Sequence, residues 1–223
     1  LQSGKVNGQA NPKLNARTPV VLHCDGDLGY APLAHQKSLG KLAQAATSNG
    51  VATLSITRTH HFAALWPETE ALAKQGRVAI TCVSYLPNVA PFGSHEKLFG
   101  ANPIAFAWPR PNDSPVVFDM ATAAMAMGDV QIAARDGKTV PEGTGLNADG
   151  NETTDPAEII RGMLLPFGGY KGSHIAMMIE LLVAGLSGQD FSFEAQKNDN
   201  NDGGPPNGGE FILAIDPNHF GDA

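Results

Sequence analysis

Leu164-Leu-Pro-Phe-Gly-Gly-Tyr-Lys-Gly-Ser-His-Ile-Ala-Met-Met-Ile-Glu-Leu-Leu-Val-Ala-Gly-Leu-Ser-Gly188 is the stretch around which the chain is organised. Its second half reads as a helix. Ile175, Met178, Ile179, Leu182 and Leu186 recur at i, i+3, i+4, i+7 and i+11 and lay down one apolar stripe. Glu180 is the only charge there, which predicts that most of the circumference is buried, and Gly188 supplies a stop. The first half differs. Pro166, Gly168, Gly169 and Gly172 make a loop that packing alone does not demand. A glycine-rich turn entering a helix exposes backbone N–H groups at the positive end of the helix dipole, and Lys171 adds a cation. The set suits an anion, such as a cofactor phosphate or a substrate carboxylate. A tight turn with a solvated lysine accounts for the same residues.

Working outward, 223 residues fit one large domain or two small ones, and 42% apolar residues build a substantial core. Charged residues are only 17%, which points to extensive burial or subunit contact. A net charge of -7 argues against a nucleic-acid partner. No apolar run approaches the ~20 residues of a membrane span, so no membrane partner is expected. No signal peptide is legible. Cys24 and Cys82 are too few for a disulfide framework, which makes a reducing cytoplasm the default location. The chain opens at Leu1 without methionine and stops at Asp222-Ala223, soon after an apparent strand. Both ends read as cut, and functional residues are expected beyond them.

The order of elements is α/β. Residues 1–18 read as an extended lead-in and Val20 to Leu22 as a short strand. Asp25-Gly-Asp-Leu-Gly-Tyr30 reads as a turn without the remaining ligands of a calcium loop. Leu33 to Asn49 is an amphipathic helix ended by Gly50, and Val51 to Ile56 is a β-branched strand. Pro67 to Gln75 is a helix capped by Gly76, and Val78 to Ser84 a strand. Asn102 to Pro109 and Pro115 to Met120 carry two more strands, the second ending in Asp119. Ala121 to Arg135 reads as a helix of small residues, and Ala157 to Arg161 as a short one. Residues 190–209 read as a mobile loop before a last strand from Glu210 to Asp216.

Chemistry collects at few places. Thr57 to Trp66 follows a strand and carries Arg58, His60 and His61, a cluster typical of a site at a strand end. Adjacent histidines diverge on any regular element and no HExxH pattern exists, so no metal is expected; a hydrogen-bonded structural role is the plain reading of each. Asp129 lies among alanines. Buried, it needs a cation or imidazole beside it; facing solvent, it needs nothing. There is no internal repeat and no GxGxxG, so the standard Rossmann fingerprint is not how a dinucleotide would bind.

Five blocks in order carry a resemblance: His60-His-Phe-Ala-Ala-Leu-Trp66, Leu98-Phe-Gly-Ala-Asn-Pro-Ile-Ala-Phe106, Val117-Phe-Asp-Met-Ala-Thr122, Gly128-Asp-Val-Gln-Ile-Ala-Ala-Arg135 and Leu164-Leu-Pro-Phe-Gly-Gly-Tyr-Lys-Gly172. The chain resembles the malate/L-lactate dehydrogenase family, NAD(P)-dependent oxidoreductases that lack a Rossmann fold. Its first block resembles the members that reduce cyclic imines. The resemblance implies an α/β fold with a non-Rossmann NAD(P)-binding domain, a largely antiparallel sheet flanked by helical regions, in a homodimer with shared sites. It implies domains at 1–50 (the end of an N-terminal helical or linker region), 51–170 (the NAD(P)-binding sheet) and 171–223 (a C-terminal helix and returning strand). It implies NADPH, with NADH an alternative, touched by His61, Phe62, Ala63, Ala64, Leu65, Asp119, Met120, Ala121, Tyr170 and Lys171. Asp129 matches the carboxylate that orients a catalytic histidine, and Ala101 and Met127 fall near the substrate.

The implied reaction is hydride transfer to a ring C=N bearing a carboxylate, giving L-pipecolate or L-proline. Departures are visible. The family's Ser-His-Gly-x-x-x-Arg motif, with the catalytic histidine and a carboxylate-binding arginine, does not occur; Ser94-His-Glu96 and Ser173-His-Ile175 do not match it. Ala101 stands where close relatives carry threonine, and Met127 where histidine is expected. The competing readings are a 2-hydroxyacid dehydrogenase of the same family, a non-catalytic truncated core, and a plain structural α/β domain. The last is ranked lowest, because strand-end Asp119, Asp129 and the Lys171 loop have no packing rationale.

Overall fold

The computed structural model describes residues 2–60 and 63–221. Its main feature is a seven-stranded sheet formed by β1 (Lys13–Thr18), β2 (Val21–Tyr30), β3 (Val51–His60), β4 (Val78–Val83), β5 (Ile104–Arg110), β6 (Asp113–Met120) and β10 (Asn207–Ile215). The spatial order is β1-β2-β3-β10-β4-β5-β6. Only β2 and β3 pair in parallel; every other neighbouring pair is antiparallel. The parallel pair is joined by helix α1 (Ala31–Asn49), as a parallel connection requires.

Period-two alternation turns Ala52, Leu54 and Ile56 of β3 to one face, where α1 lays Ala34, Leu42 and Ala46 against them with Ile212 and Ala214 of β10. Helix α2 (Trp66–Ala73) adds Leu72 to this core. A second body is built from β7 (Gly145–Leu146), β8 (Glu152–Thr153) and β9 (Met163–Leu164) with α3 (Met127–Arg135) and α4 (Pro156–Arg161). Helix α5 (Tyr170–Glu180) continues through a π turn, Leu181–Gly185, and is followed by α6 (Ser192–Asn198).

Several expectations are corrected. The lead-in contains β1, and residues 25–30 stay within β2, where Asp27 and Leu28 take φ of 52° and 56° at a register shift. The helix expected from Ala121 starts at Met127. Before it, Thr122 and Ala124 give their backbone N–H groups to Ala101 and Leu165, so that segment cannot make helical bonds. The stretch 190–209 contains α6. The expected apolar stripe is only partly covered: Ile179 is buried and Ile175 and Leu182 are half-buried, whereas Met178 and Leu186 are exposed. Strands β1, β2 and β10 belong to the same sheet as β3 to β6.

Candidate active site

Four sequence-distant segments meet where the large sheet adjoins the smaller one. Asp119, near the end of edge strand β6, takes the backbone N–H of Leu65 at 2.7 Å and of Trp66 at 3.0 Å on its Oδ2. Helix α2 has no side-chain cap of its own, so a carboxylate from another strand satisfies its opening donors at the favourable dipole end. The Ala101 carbonyl accepts from Thr122 N at 2.8 Å and from Thr122 Oγ1 at 2.9 Å. The Thr122 carbonyl accepts from Phe167 N, and the Phe167 carbonyl from Gly172 N, both at 2.9 Å. Gly172 is required there: a Cβ would stand 2.5 Å from Phe167 O and 2.9 Å from Thr122 O.

The sequence-predicted residues distribute along this seam. Ala63 and Ala64 are exposed beside buried Leu65. Met120 is exposed, Asp119 and Ala121 half-buried, and Tyr170 and Lys171 exposed at the start of α5. Ala101, Ala121 and Met127 pack against one apolar cluster that includes Phe99, Ala123 and Val130. His61 and Phe62 lie outside the described residues. Asp129 is exposed, in the first turn of α3. Of its two readings the solvent-facing one is found, because α3 begins late and places the carboxylate at the positive helix end.

At the start of α5 the N–H groups of Gly169, Lys171 and Gly172 are given to the carbonyls of Pro166, Gly168 and Phe167, so the glycine turn is closed on itself beside the positive helix end. Gly168 and Gly169 take φ of 55° and 63°, and the helix is capped by Gly169 without a side-chain bond. Lys171 adds the cation, and Tyr170 an exposed ring set edge-on to Phe92 at 6.2 Å. A cavity of about 650 Å³ beside Gly168 and Gly169 is also lined by Glu142 and Glu152, so its charge opposes a phosphate. The anion-compatible group is therefore the exposed Lys171 at the positive end of α5, not that cavity.

Sequence reasoning missed a buried cluster. His35 of α1, Glu68 of α2 and Glu210 of β10 bring ligand-type atoms within 4.8 Å of one another. His35 Nε2 lies 2.5 Å from Glu210 Oε2. Burial opposes protonation of His35, but the charge and hydrogen bond of Glu210, with Glu68 behind them, push its pKa up to about 9. Nitrogen and oxygen ligands held at about 2.0–2.2 Å on a tetrahedral ion would stand roughly 3.3 Å apart. The observed 2.5 Å is shorter than that and is a direct, charge-assisted contact between imidazole and carboxylate. No periodicity links residues on three elements, so nothing in the sequence announces the cluster. It borders an apolar cavity of about 240 Å³ that Ala63 and Ala64 also line.

His60 is structural at one nitrogen: it is buried, and Nδ1 lies 3.1 Å from the Pro206 carbonyl. Cys24 and Cys82 are buried, which pushes their thiols up to about 11 and about 12 and removes them as nucleophiles. Among the described residues no helix is long and apolar enough to cross a membrane.

The chain has known relatives. It matches the family described as malate/L-lactate dehydrogenase over residues 1–223. It is 47% identical over 218 residues to a Δ1-pyrroline-2-carboxylate/Δ1-piperideine-2-carboxylate reductase of Pseudomonas putida, covering 97% of this chain and 64% of that relative. The crystal structure of Δ1-piperideine-2-carboxylate reductase from Pseudomonas syringae pv. tomato superimposes with a TM-score of 0.94 at 45% identity, over 97% of this chain and 66% of that one. Sulfolactate dehydrogenase from Methanocaldococcus jannaschii superimposes with a TM-score of 0.86 at 32% identity, over 98% of this chain and 63% of that one. The chain thus spans about two thirds of the length of the proteins it matches. A family match over the whole of the given chain, a mixed sheet shared with family dehydrogenases and a seam that joins four of the five sequence blocks lead to one assignment: the chain belongs to the malate/L-lactate dehydrogenase family.

Proposed function

We propose that the complete protein is an NADPH-dependent reductase of cyclic imine 2-carboxylates, taking Δ1-piperideine-2-carboxylate or Δ1-pyrroline-2-carboxylate to L-pipecolate or L-proline. One observation carries the reading: hydrogen bonds join the segments at 63–66, 101, 119–122 and 167–172, which are those expected to hold cofactor and substrate. The relatives named above as imine reductases support the substrate class.

When bound, NADPH supplies the hydride that turns the ring C=N carbon into a C–H carbon. The protein's residues bind and orient. Ala63, Ala64, Leu65, Asp119, Met120, Ala121, Tyr170 and Lys171 form the cofactor-binding side, with Lys171, at the start of α5, facing phosphate. Ala101 and Met127 face the substrate. The ring nitrogen takes a proton from a histidine outside these residues, and Asp129 stabilises that histidine's charged form through its exposed carboxylate. Hydride plus proton balance the reduction of C=N to CH–NH.

The protein acts as a homodimer with shared sites, a reading supported by the apolar face of edge strand β6, where Val116, Phe118 and Met120 are exposed. Two buried cysteines fit a cytoplasmic location. The likeness to sulfolactate dehydrogenase makes 2-keto acids the competing substrate class. NADPH oxidation by the full-length protein, measured with both cyclic imines, pyruvate and oxaloacetate, decides between them. The cyclic imines are expected to give the higher kcat/KM, and a preference for the keto acids overturns the proposal. Repeating the assay with NADH tests the cofactor preference.

A further inference from the structure

Glu180 is the only charged side chain in the helical half of the opening stretch, and it is buried, with 4% of its surface exposed. It is the last residue of α5 before the helical run continues through Leu181–Gly185. Nothing about packing favours an anion there, so its role is found in what it holds. It accepts from Asn102 Nδ2 at 2.7 Å, from Ser192 N at 3.0 Å and from Ser192 Oγ. Each of these groups donates, so Glu180 serves only as an acceptor. Ser192 Oγ in turn accepts from Gly100 N at 3.1 Å, and Asn102 Nδ2 also reaches the Ala176 carbonyl at 3.2 Å. One carboxylate therefore grips both flanks of Ala101: Asn102 directly, and Gly100 through Ser192.

The gripped turn is one the chain would not adopt unaided. Asn102 has a φ of 35°, and a Cβ on Gly100 would stand 2.6 Å from the Tyr85 carbonyl. Such backbone persists where its surroundings hold it, and it concentrates at functional sites. The Ala101 carbonyl is the point to which Thr122 gives both its N–H and its hydroxyl, and Thr122 passes the link to Phe167 and the Lys171 loop.

We propose that Glu180 is a positioning residue for the substrate end of the site: it fixes the Gly100–Ala101–Asn102 turn and, through the Ala101 carbonyl, the position of Thr122. What the turn contacts rests on the reductase reading, whereas the positioning does not. Two readouts keep them separate.

Glu180→Gln and the milder Ser192→Ala are made in the full-length protein. The first turns an amide N–H₂ toward donors; the second removes the hydroxyl that relays Glu180 to Gly100. Amide exchange at Thr122 is expected to speed up about tenfold in both, and KM for the cyclic imine to rise about tenfold with NADPH affinity kept within about twofold. A carboxylate with a merely structural role would lower the melting temperature and the active fraction without moving KM. Unchanged Thr122 exchange in a folded Ser192→Ala protein overturns the positioning role, and so does an unchanged KM. If the unsubstituted protein reduces no cyclic imine, the reductase reading fails, and Thr122 exchange alone decides for or against the positioning role.

Discussion

Asp119 Oδ2 and the Leu65 backbone N–H stand 2.7 Å apart, joining edge strand β6 to the first turn of α2. The same oxygen takes Trp66 N–H, so one carboxylate caps a helix from a different element. Asp119→Ala is expected to cost about 1–2 kcal/mol of stability, as loss of a helix cap does. It should also weaken NADPH binding by releasing the Ala63–Leu65 segment. Asp119→Asn retains an acceptor and should recover most of both losses. Urea unfolding and NADPH fluorescence titration check this; equal affinity in Asp119→Ala and the unsubstituted protein would remove the link between cap and cofactor.

The His35–Glu210 pair makes stability depend on pH in a defined direction. The folded-state pKa of His35, about 9, lies above its ordinary value of 6.5. The contribution is therefore complete below about pH 6.5 and lost as pH rises through about 9. A shift of this size corresponds to at most about 3–4 kcal/mol, since one unit is worth about 1.4 kcal/mol. Urea midpoints measured from pH 6 to pH 9.5 should fall in the unsubstituted protein and fall less in Glu210→Gln. Parallel curves for the two would refute the assignment.

Asp129→Asn in the full-length enzyme is expected to lower kcat strongly, by about 10²-fold or more, with NADPH affinity preserved, because the amide cannot stabilise a charged imidazole. Steady-state kinetics with a parallel cofactor titration provide the check. Unchanged turnover would leave Asp129 as no more than a favourable charge at the start of α3.

Gly172→Ala probes the close contact at the start of α5. The new methyl would enter the space of Phe167 O and Thr122 O. A destabilisation of about 1–3 kcal/mol is expected from overpacking, together with weaker NADPH binding as the Lys171 turn shifts. Gly128→Ala has open space around it and serves as the control, with little effect on either measurement.

Much of this was legible in the sequence, for physical reasons. Strands β3, β4 and β6 announce themselves by β-branched runs, and α1 and α2 by their glycine stops. Segment 121–126 misled because its alanines favour helix locally, while cross-strand bonds to Ala101 and Leu165 claim its backbone. Two-residue strands such as β7 and β9 carry no periodicity to read. At the site, the glycines and Lys171 were visible as composition. The His35–Glu68–Glu210 cluster was not, because only the fold brings its members together. Glu180 was visible as a lone charge, but what it holds could be learned only from Asn102 and Ser192 in space.

Strand β10 is the last strand among the described residues, yet it lies between β3 and β4 in the sheet. During synthesis those two strands emerge first, and each waits with an open row of amides for a partner some 120 residues or more downstream. The sheet cannot close until the ribosome has released residue 215. Assembly is therefore a late, non-local event that is slow by its topology, and a stalled chain would expose two unpaired edges of the kind that recruit other chains into aggregates. The cell has reason to shield this polypeptide until β10 is made.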